Sequence, residues 1–224
     1  MSGGGTGSLI SPERSMRILV SERRRALTLA ALALPLLPLR ARAGAQQYEA
    51  LAASVRTALS ALIADPTPPT RRFDTPAERA AFERWRQVMS RRLAARLALP
   101  RTRDDLLRTL DYEAIRAGLD RQMVLGLIQV ESNFRKYAIS GAGAMGYMQV
   151  MPFWVDLIGD GNVRSLFDMR TNLRYGCVIL RHYIDEERGD LFRALGRYNG
   201  SVGDPAYPNA VLAAWKGNWS YRGG

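Results

Sequence analysis

The chain has 224 residues, 47% of them hydrophobic and 24% charged. That is enough for one ordinary domain with a real core, and it excludes a disordered or collagen-like chain. The net charge is +11; seven arginines against two glutamates in residues 1–45 account for +5, leaving +6 on the remainder. Such a charge suits an anionic polymer, including cell-wall glycan or nucleic acid, and it equally suits a plain solvated surface.

Cys177 is the only cysteine and His182 the only histidine. An internal disulfide, a thiolate cluster and a multi-histidine metal site are therefore excluded. Cys177 lies in the apolar run Gly176-Cys177-Val178-Ile179-Leu180 and reads as packing. No metal or cofactor is expected.

In chain order, Arg23-Arg24-Arg25 precede an apolar run from Ala26 to Leu39, and Ala43-Gly44-Ala45 supplies small residues before Gln46. Charged region, short apolar region and A-x-A site predict a signal peptide over 1–45, with Met16 as an alternative start. The run is short for a membrane span and holds Pro35 and Pro38. Arg24-Arg25-Ala26-Leu27 fits the twin-arginine route, with the general secretory route as the alternative. Export to the periplasm is the expectation, with no stable membrane span.

Helical periodicity dominates the rest, and no segment alternates like a half-buried strand. Tyr48 to Ala64 reads as an amphipathic helix ended by Asp65-Pro66-Thr67-Pro68-Pro69. Thr75-Pro76-Ala77-Glu78 is a capping box opening a helix to about Ala98, with Phe82, Trp85, Val88, Met89, Leu93 and Leu97 on its apolar side. A third helix is expected from near Asp104 to Ala117. Asp120 then caps Arg121 to Ser132. A fifth is expected from Gly146 or Tyr147 to Gly159, and Asp160-Gly161-Asn162 is a turn. Thr171 caps a helix to Arg188, Asp190 caps Leu191 to Tyr198, and a last helix spans Asn209 to Trp219. The fold class is all-α, divided into a helical N-terminal region (46–103) and a second helical region (104–224).

Glu131 carries the chemistry. It follows Val124-Leu125-Gly126-Leu127-Ile128-Gln129-Val130, a helix buried on most sides. A carboxyl there faces low dielectric and the negative end of the helix dipole, both of which favour the protonated form. That is what a general acid needs at neutral pH, though a solvated helix end fits the same residues. Ser140-Gly141-Ala142-Gly143-Ala144 has almost no side-chain volume and lets backbone approach something closely. Gln149, in an apolar stretch, either ties down a loop or points at a ligand. Tyr198-Asn199-Gly200-Ser201 puts a phenol and an amide at a helix end.

The ordered set E-S-x-F, G-x-M-Q-x-M-P and Y-N-G resembles the soluble lytic transglycosylase family of murein-cleaving enzymes, over roughly Leu106 to Trp219. The resemblance implies a lysozyme-like helical fold and cleavage of the β-1,4 bond between N-acetylmuramic acid and N-acetylglucosamine. It implies Glu131 as the sole acid/base, and Ser132, Tyr147, Met148, Gln149, Tyr198 and Asn199 as substrate-site residues, with Tyr198 hydrogen-bonding near Glu131. Two positions depart from the pattern: Tyr147 stands where leucine is usual, and Met145 where a polar residue is common.

With one carboxylate, the implied reaction ends in a 1,6-anhydro muramic product rather than hydrolysis. The alternatives are a lysozyme-type muramidase, which needs a second carboxylate such as Asp156, Asp160 or Asp168, and a non-catalytic glycan-binding module. The expected partner is peptidoglycan rather than nucleic acid, and 46–103 is the segment that would meet a cell-envelope protein.

Overall fold

The computed structural model describes residues 46–65 and 70–223. The expected signal peptide (1–45) and most of the proline cluster (66–69) lie outside the described residues. Among the described residues the protein is all-helical, as the periodicity predicts. The exceptions to helix and turn are two isolated bridges, Ile139 with Met145 and Met145 with Val150.

Helix α1 spans Ala53–Ala64 and starts later than the expected Tyr48. Residues 46–52 form neither helix nor strand, because Gln46 is drawn into the body of the molecule. Helix α2 (Pro76–Leu93) opens as the capping box requires: Thr75 accepts the Glu78 N–H at 3.1 Å. The Glu78 carboxylate reaches back to the Asp74 N–H at 3.0 Å, one residue before the usual target. This helix buries Phe82, Trp85, Met89 and Leu93.

Helix α3 (Pro100–Arg116) starts at its proline rather than near Asp104. Proline is well suited to a first helical position, where its missing N–H would have no partner anyway. Helix α4 (Arg121–Ser132) is capped by Asp120, whose carboxylate accepts the N–H groups of Gln122 at 2.6 Å and Met123 at 3.0 Å.

The expected helix from Gly146 begins only at Phe153, as the short α5 (Phe153–Ile158). The reason is local: Gly146 (φ 77°) and Gln149 (φ 49°) both take left-handed conformations that a helix cannot accommodate. A 3-10 helix that periodicity did not reveal covers Val163–Phe167. Helix α6 (Met169–Glu186) is capped by Asp168 rather than Thr171; Asp168 accepts the Thr171 N–H at 2.9 Å. Helix α7 (Leu191–Asn199) follows, capped by Asp190 and closed by Gly200 in the left-handed region. Helix α8 (Ala206–Ala214) starts earlier than expected, because Pro208 is tolerated in a first turn. It runs into a π-helical turn, Trp215–Trp219.

One hydrophobic core joins these elements, and the N-terminal helices contribute Leu59, Phe82, Trp85, Met89 and Leu93 to it. Burying a large side chain of this kind stabilises by about 1.5–3 kcal/mol. Helices α4 and α8 cross very closely at Gly126. A Cβ there would lie 2.9 Å from the Trp215 backbone nitrogen and 3.1 Å from the Val211 carbonyl oxygen. This approach decides what faces the end of α4.

Candidate active site

Glu131 lies in the last turn of α4 and is 5% exposed. Its Oε1 accepts the Tyr207 hydroxyl at 2.5 Å, and Tyr207 stands in the first turn of α8. Its Oε2 is buried and has no hydrogen-bond partner among the described residues. Burial pushes the Glu131 carboxyl up to about 8, against the opposing pull of the Tyr207 bond. The group therefore carries a proton at neutral pH. With Tyr207 donating to Oε1, the proton belongs on Oε2, the oxygen free to give it away. Burial, and then the Glu131 charge, hold the Tyr207 phenol far above its ordinary value, so it keeps its proton and donates it to Oε1.

The end of α4 is fixed on both sides. Asn133 closes it in the left-handed region, and Phe134 (φ 63°) turns inward against Trp219, ring centres 5.2 Å apart. The Ser132 hydroxyl is 2.7 Å from the Tyr147 carbonyl oxygen and donates to it, tying α4 to the G-x-M-Q-x-M-P loop.

That loop hangs from one residue of α6. Asn172, fully buried, accepts the Met148 N–H at 2.8 Å and donates to the carbonyls of Met145 and Leu166, each at 2.9 Å. Gly146 is required beside it: a Cβ there would meet the Asn172 amide nitrogen at 2.3 Å. Gln149 resolves its two readings toward the loop. Its amide donates to the Gly146 carbonyl at 3.0 Å and the Ala138 carbonyl at 3.2 Å. Tyr147 is 1% exposed and packs into the core, and burial pushes its phenol up to about 12. Met148 is fully buried.

Tyr198 differs from expectation in its partner. Its hydroxyl donates to the Met148 carbonyl at 2.8 Å, and the phenol on Glu131 is Tyr207. Tyr198 still lies near enough for the Glu131 charge to act on it. Asn199, 4% exposed, ends α7 beside it. The structure thus gathers Glu131, Ser132, Tyr147, Met148, Gln149, Tyr198 and Asn199 at the junction of α4, the loop and α7. Two residues went unmarked in the sequence, Asn172 and Tyr207. The available signals were a lone amide at the start of an apolar helix and a tyrosine followed by a proline.

The three downstream aspartates are engaged elsewhere. Asp168 caps α6, Asp160 accepts the Asn162 N–H at 3.0 Å in its turn, and Asp156 and Asp160 both act on Tyr175. Among the described residues no group of three or more His, Cys, Asp or Glu side chains forms a metal site.

An all-helical domain that buries one protonated carboxyl beside a phenol defines an acid-bearing, enzyme-like site. The comparisons point to a family for that class: residues 109–207 match the Transglycosylase SLT domain. A transglycosylase of Enterobacteria phage PRD1 is 32% identical over 111 residues, covering 46% of this chain and 40% of the phage protein. The membrane-bound lytic murein transglycosylase C of Haemophilus influenzae is 32% identical over 105 residues, covering 40% of this chain and 29% of the relative. The chain therefore spans less than half the length of either relative. Among solved structures, the 70 kDa soluble lytic transglycosylase of Escherichia coli aligns with a TM-score of 0.39 at 19% identity, covering 62% of this chain and 24% of that one.

Proposed function

We propose that this protein is a peptidoglycan lytic transglycosylase that cleaves the β-1,4 bond between N-acetylmuramic acid and N-acetylglucosamine, with Glu131 as its acid and base. One observation carries the reading: Glu131 is buried, with a phenol on Oε1 and, among the described residues, no partner on Oε2. The SLT match over 109–207 and the names of the relatives support the substrate class.

The Glu131 Oε2 proton passes to the glycosidic oxygen as the bond to the anomeric carbon breaks, and an oxocarbenium-like or N-acetyl-assisted species forms. Glu131, now ionised, takes the proton of the muramic 6-hydroxyl as that oxygen attacks the same carbon. The product carries a 1,6-anhydro ring and no water is consumed. A hydrolase of the usual kind places a second carboxylate about 5–9.5 Å from the first. Asp168 and Asp160, two of the carboxylates a hydrolase would call on, are taken up by a helix cap and a turn. This favours the anhydro product over hydrolysis.

Ser132, Tyr147, Met148, Gln149 and Tyr198 act by building the site wall, Tyr207 holds the Glu131 carboxyl, and Asn199 contacts the glycan. Residues 104–224 form the catalytic region, and 46–103 brace it and offer surface to a cell-envelope partner. The protein works in the periplasm, exported by the leader in 1–45. No helix among the described residues is long and apolar enough to cross a membrane.

The test is digestion of purified peptidoglycan followed by mass spectrometry of the product ends. Anhydro ends are expected; ends heavier by one water would replace this reading with a muramidase.

A further inference from the structure

Residues 84–103 hold seven arginines and no acid, whereas the rest of the chain after residue 45 is close to neutral. The segment covers the second half of α2, the turn after it and the start of α3. Among the described residues, Arg86 alone of the seven pairs with carboxylates, those of Glu83 and Asp104. Three others are held by uncharged groups. Arg92 donates to the carbonyls of Asn218 and Ser220, Arg96 to the Asn133 side chain, and Arg103 to the carbonyls of Leu97 and Ala98. Such bonds leave the guanidinium charge in place. Arg84, Arg91 and Arg101 are exposed and meet no carboxylate among the described residues. Arg84 and Arg91 lie about two turns apart, on one face of α2.

The tip of the same corner is apolar. Ala94, Ala95, Ala98, Leu99 and Pro100 are exposed, Leu99 by 68%. Leu99 also occupies the cap position of α3 and makes no side-chain capping bond. A serine or aspartate there would accept a first-turn N–H and stabilise the helix. A leucine gives the fold neither a cap nor a buried side chain. The tip is nonetheless well tied down. Arg103 clamps two of its carbonyls, at 2.7 and 2.8 Å, and bonds the Ser90 hydroxyl at 3.1 Å. An ordered apolar tip flanked in the chain by arginines suits an anionic lipid interface, which takes apolar groups and cations together.

We propose that the α2–α3 corner docks on the surface of an anionic bilayer, with Leu99 entering the headgroup layer and Arg84, Arg91 and Arg101 on lipid phosphates. A soluble polyanion would use the arginines and leave Leu99 unexplained. An isologous contact with a second copy would set the arginine cluster against itself. Arg96 ties the turn to Asn133, which closes the helix carrying Glu131, so docking holds that helix at a set height above the lipid. Docking does not require Glu131 to be catalytic.

Cys177 is buried, so a thiol introduced by Leu99→Cys takes an environment-sensitive fluorophore selectively. In the full chain this label should brighten and shift to the blue with phosphatidylglycerol vesicles, and stay unchanged with phosphatidylcholine vesicles. The same label after Leu62→Cys, at an exposed leucine on α1, should not respond. Arg91→Gln combined with Arg101→Gln should raise the lipid concentration for half-saturation by about ten- to thirtyfold. Leu99→Ser, which keeps α3 helical because serine caps it, should raise that concentration about three- to tenfold and leave binding to soluble polyphosphate as it was. A label that stays in water while the protein sediments with vesicles overturns the proposal, as does a double arginine variant that binds like the parent. Unchanged vesicle binding by Leu99→Ser would replace the lipid surface with a polyanion. A blue shift that follows protein concentration without lipid would replace it with a second copy of the chain.

Discussion

Glu113 and Glu131 are both buried carboxylates, 1% and 5% exposed, and the fold treats them in opposite ways. Glu113 is saturated with cations: Arg174 reaches its Oε1 at 3.0 Å and Arg116 its Oε2 at 3.1 Å. The same two arginines continue to the end of α1, where Arg174 donates to the carbonyls of Ile63 and Asp65 and Arg116 to that of Leu62. Asp111 repeats the pattern with Arg71 at 3.1 Å and Arg121 at 2.6 Å, and Arg121 lies over the Trp85 ring. Among the described residues no cation pairs with Glu131, which bonds Tyr207 instead. A buried charge costs several kcal/mol unless paired, so a carboxyl left without a cation stays protonated. In a chain so rich in arginine, the missing partner at Glu131 distinguishes a reactive acid from a structural one.

The largest effect that separates the two sites is on turnover. Glu131→Gln should lower peptidoglycan cleavage by about 10²–10⁴-fold, the usual worth of a general acid, with helicity retained. Retained turnover in that variant would refute the assignment. Glu113→Gln should do the reverse. It leaves Arg116 and Arg174 facing a neutral group, and breaking a buried pair costs about 3–5 kcal/mol. Denaturant melts should show that loss, while kcat per folded molecule stays near wild type. A Glu113→Gln protein as stable as the parent would erase the contrast.

Stability should also move in opposite directions at the two glutamates, with a pH signature at only one. The Glu131 carboxyl titrates near 4.5 when unfolded and near 8 in the folded protein. Between those values the folded state binds more protons than the unfolded one, so unfolding free energy falls as pH rises. The penalty is absent below about pH 4.5 and grows up to about pH 8. Glu131→Gln removes it, so the variant should be more stable than wild type by on the order of 3 kcal/mol at pH 7 and no more stable at pH 4. Paired melts at the two pH values measure this directly; an equal difference at both would mean that Glu131 does not titrate as described.

The contrast between these carboxylates was only half legible in the sequence. Glu131 stood out because it ends an apolar helix, a signal contained within seven neighbouring residues. Arg116, three residues from Glu113, was a local partner, but the second cations were hidden, because Arg174 lies 61 residues from Glu113 and Arg71 lies 40 from Asp111. The all-helical fold, the capping box at Thr75 and the cap at Asp120 followed from local rules. Segment 146–152 did not, since its apolar spacing imitates a helix while Gly146 and Gln149 turn the chain through left-handed conformations. What holds them is Asn172, and an asparagine near a helix start reads as an ordinary polar residue until the loop is seen hanging from it. Tyr207 was invisible for a similar reason. Its approach to Glu131 depends on the close crossing of α4 and α8 at Gly126, which no spacing rule encodes.

The two site tyrosines offer the finest test of what sets Glu131 apart. Both are buried phenols near the same carboxyl, yet one donates to Glu131 and the other to the Met148 carbonyl. The Tyr207 bond stabilises the ionised carboxylate and so pulls its pKa down from where burial alone would place it. Tyr207→Phe should therefore shift the alkaline limb of the kcat/KM profile upward from about pH 8. It should also cost about tenfold to a hundredfold in turnover, because the carboxyl loses the contact that orients it. Tyr198→Phe should leave the alkaline limb in place. Its cost is structural, about 1–3 kcal/mol for a buried carbonyl left unsatisfied at Met148. An alkaline limb that moved equally in both variants would mean that the two phenols act on Glu131 alike, and that the single hydrogen bond on Oε1 is not what tunes the acid.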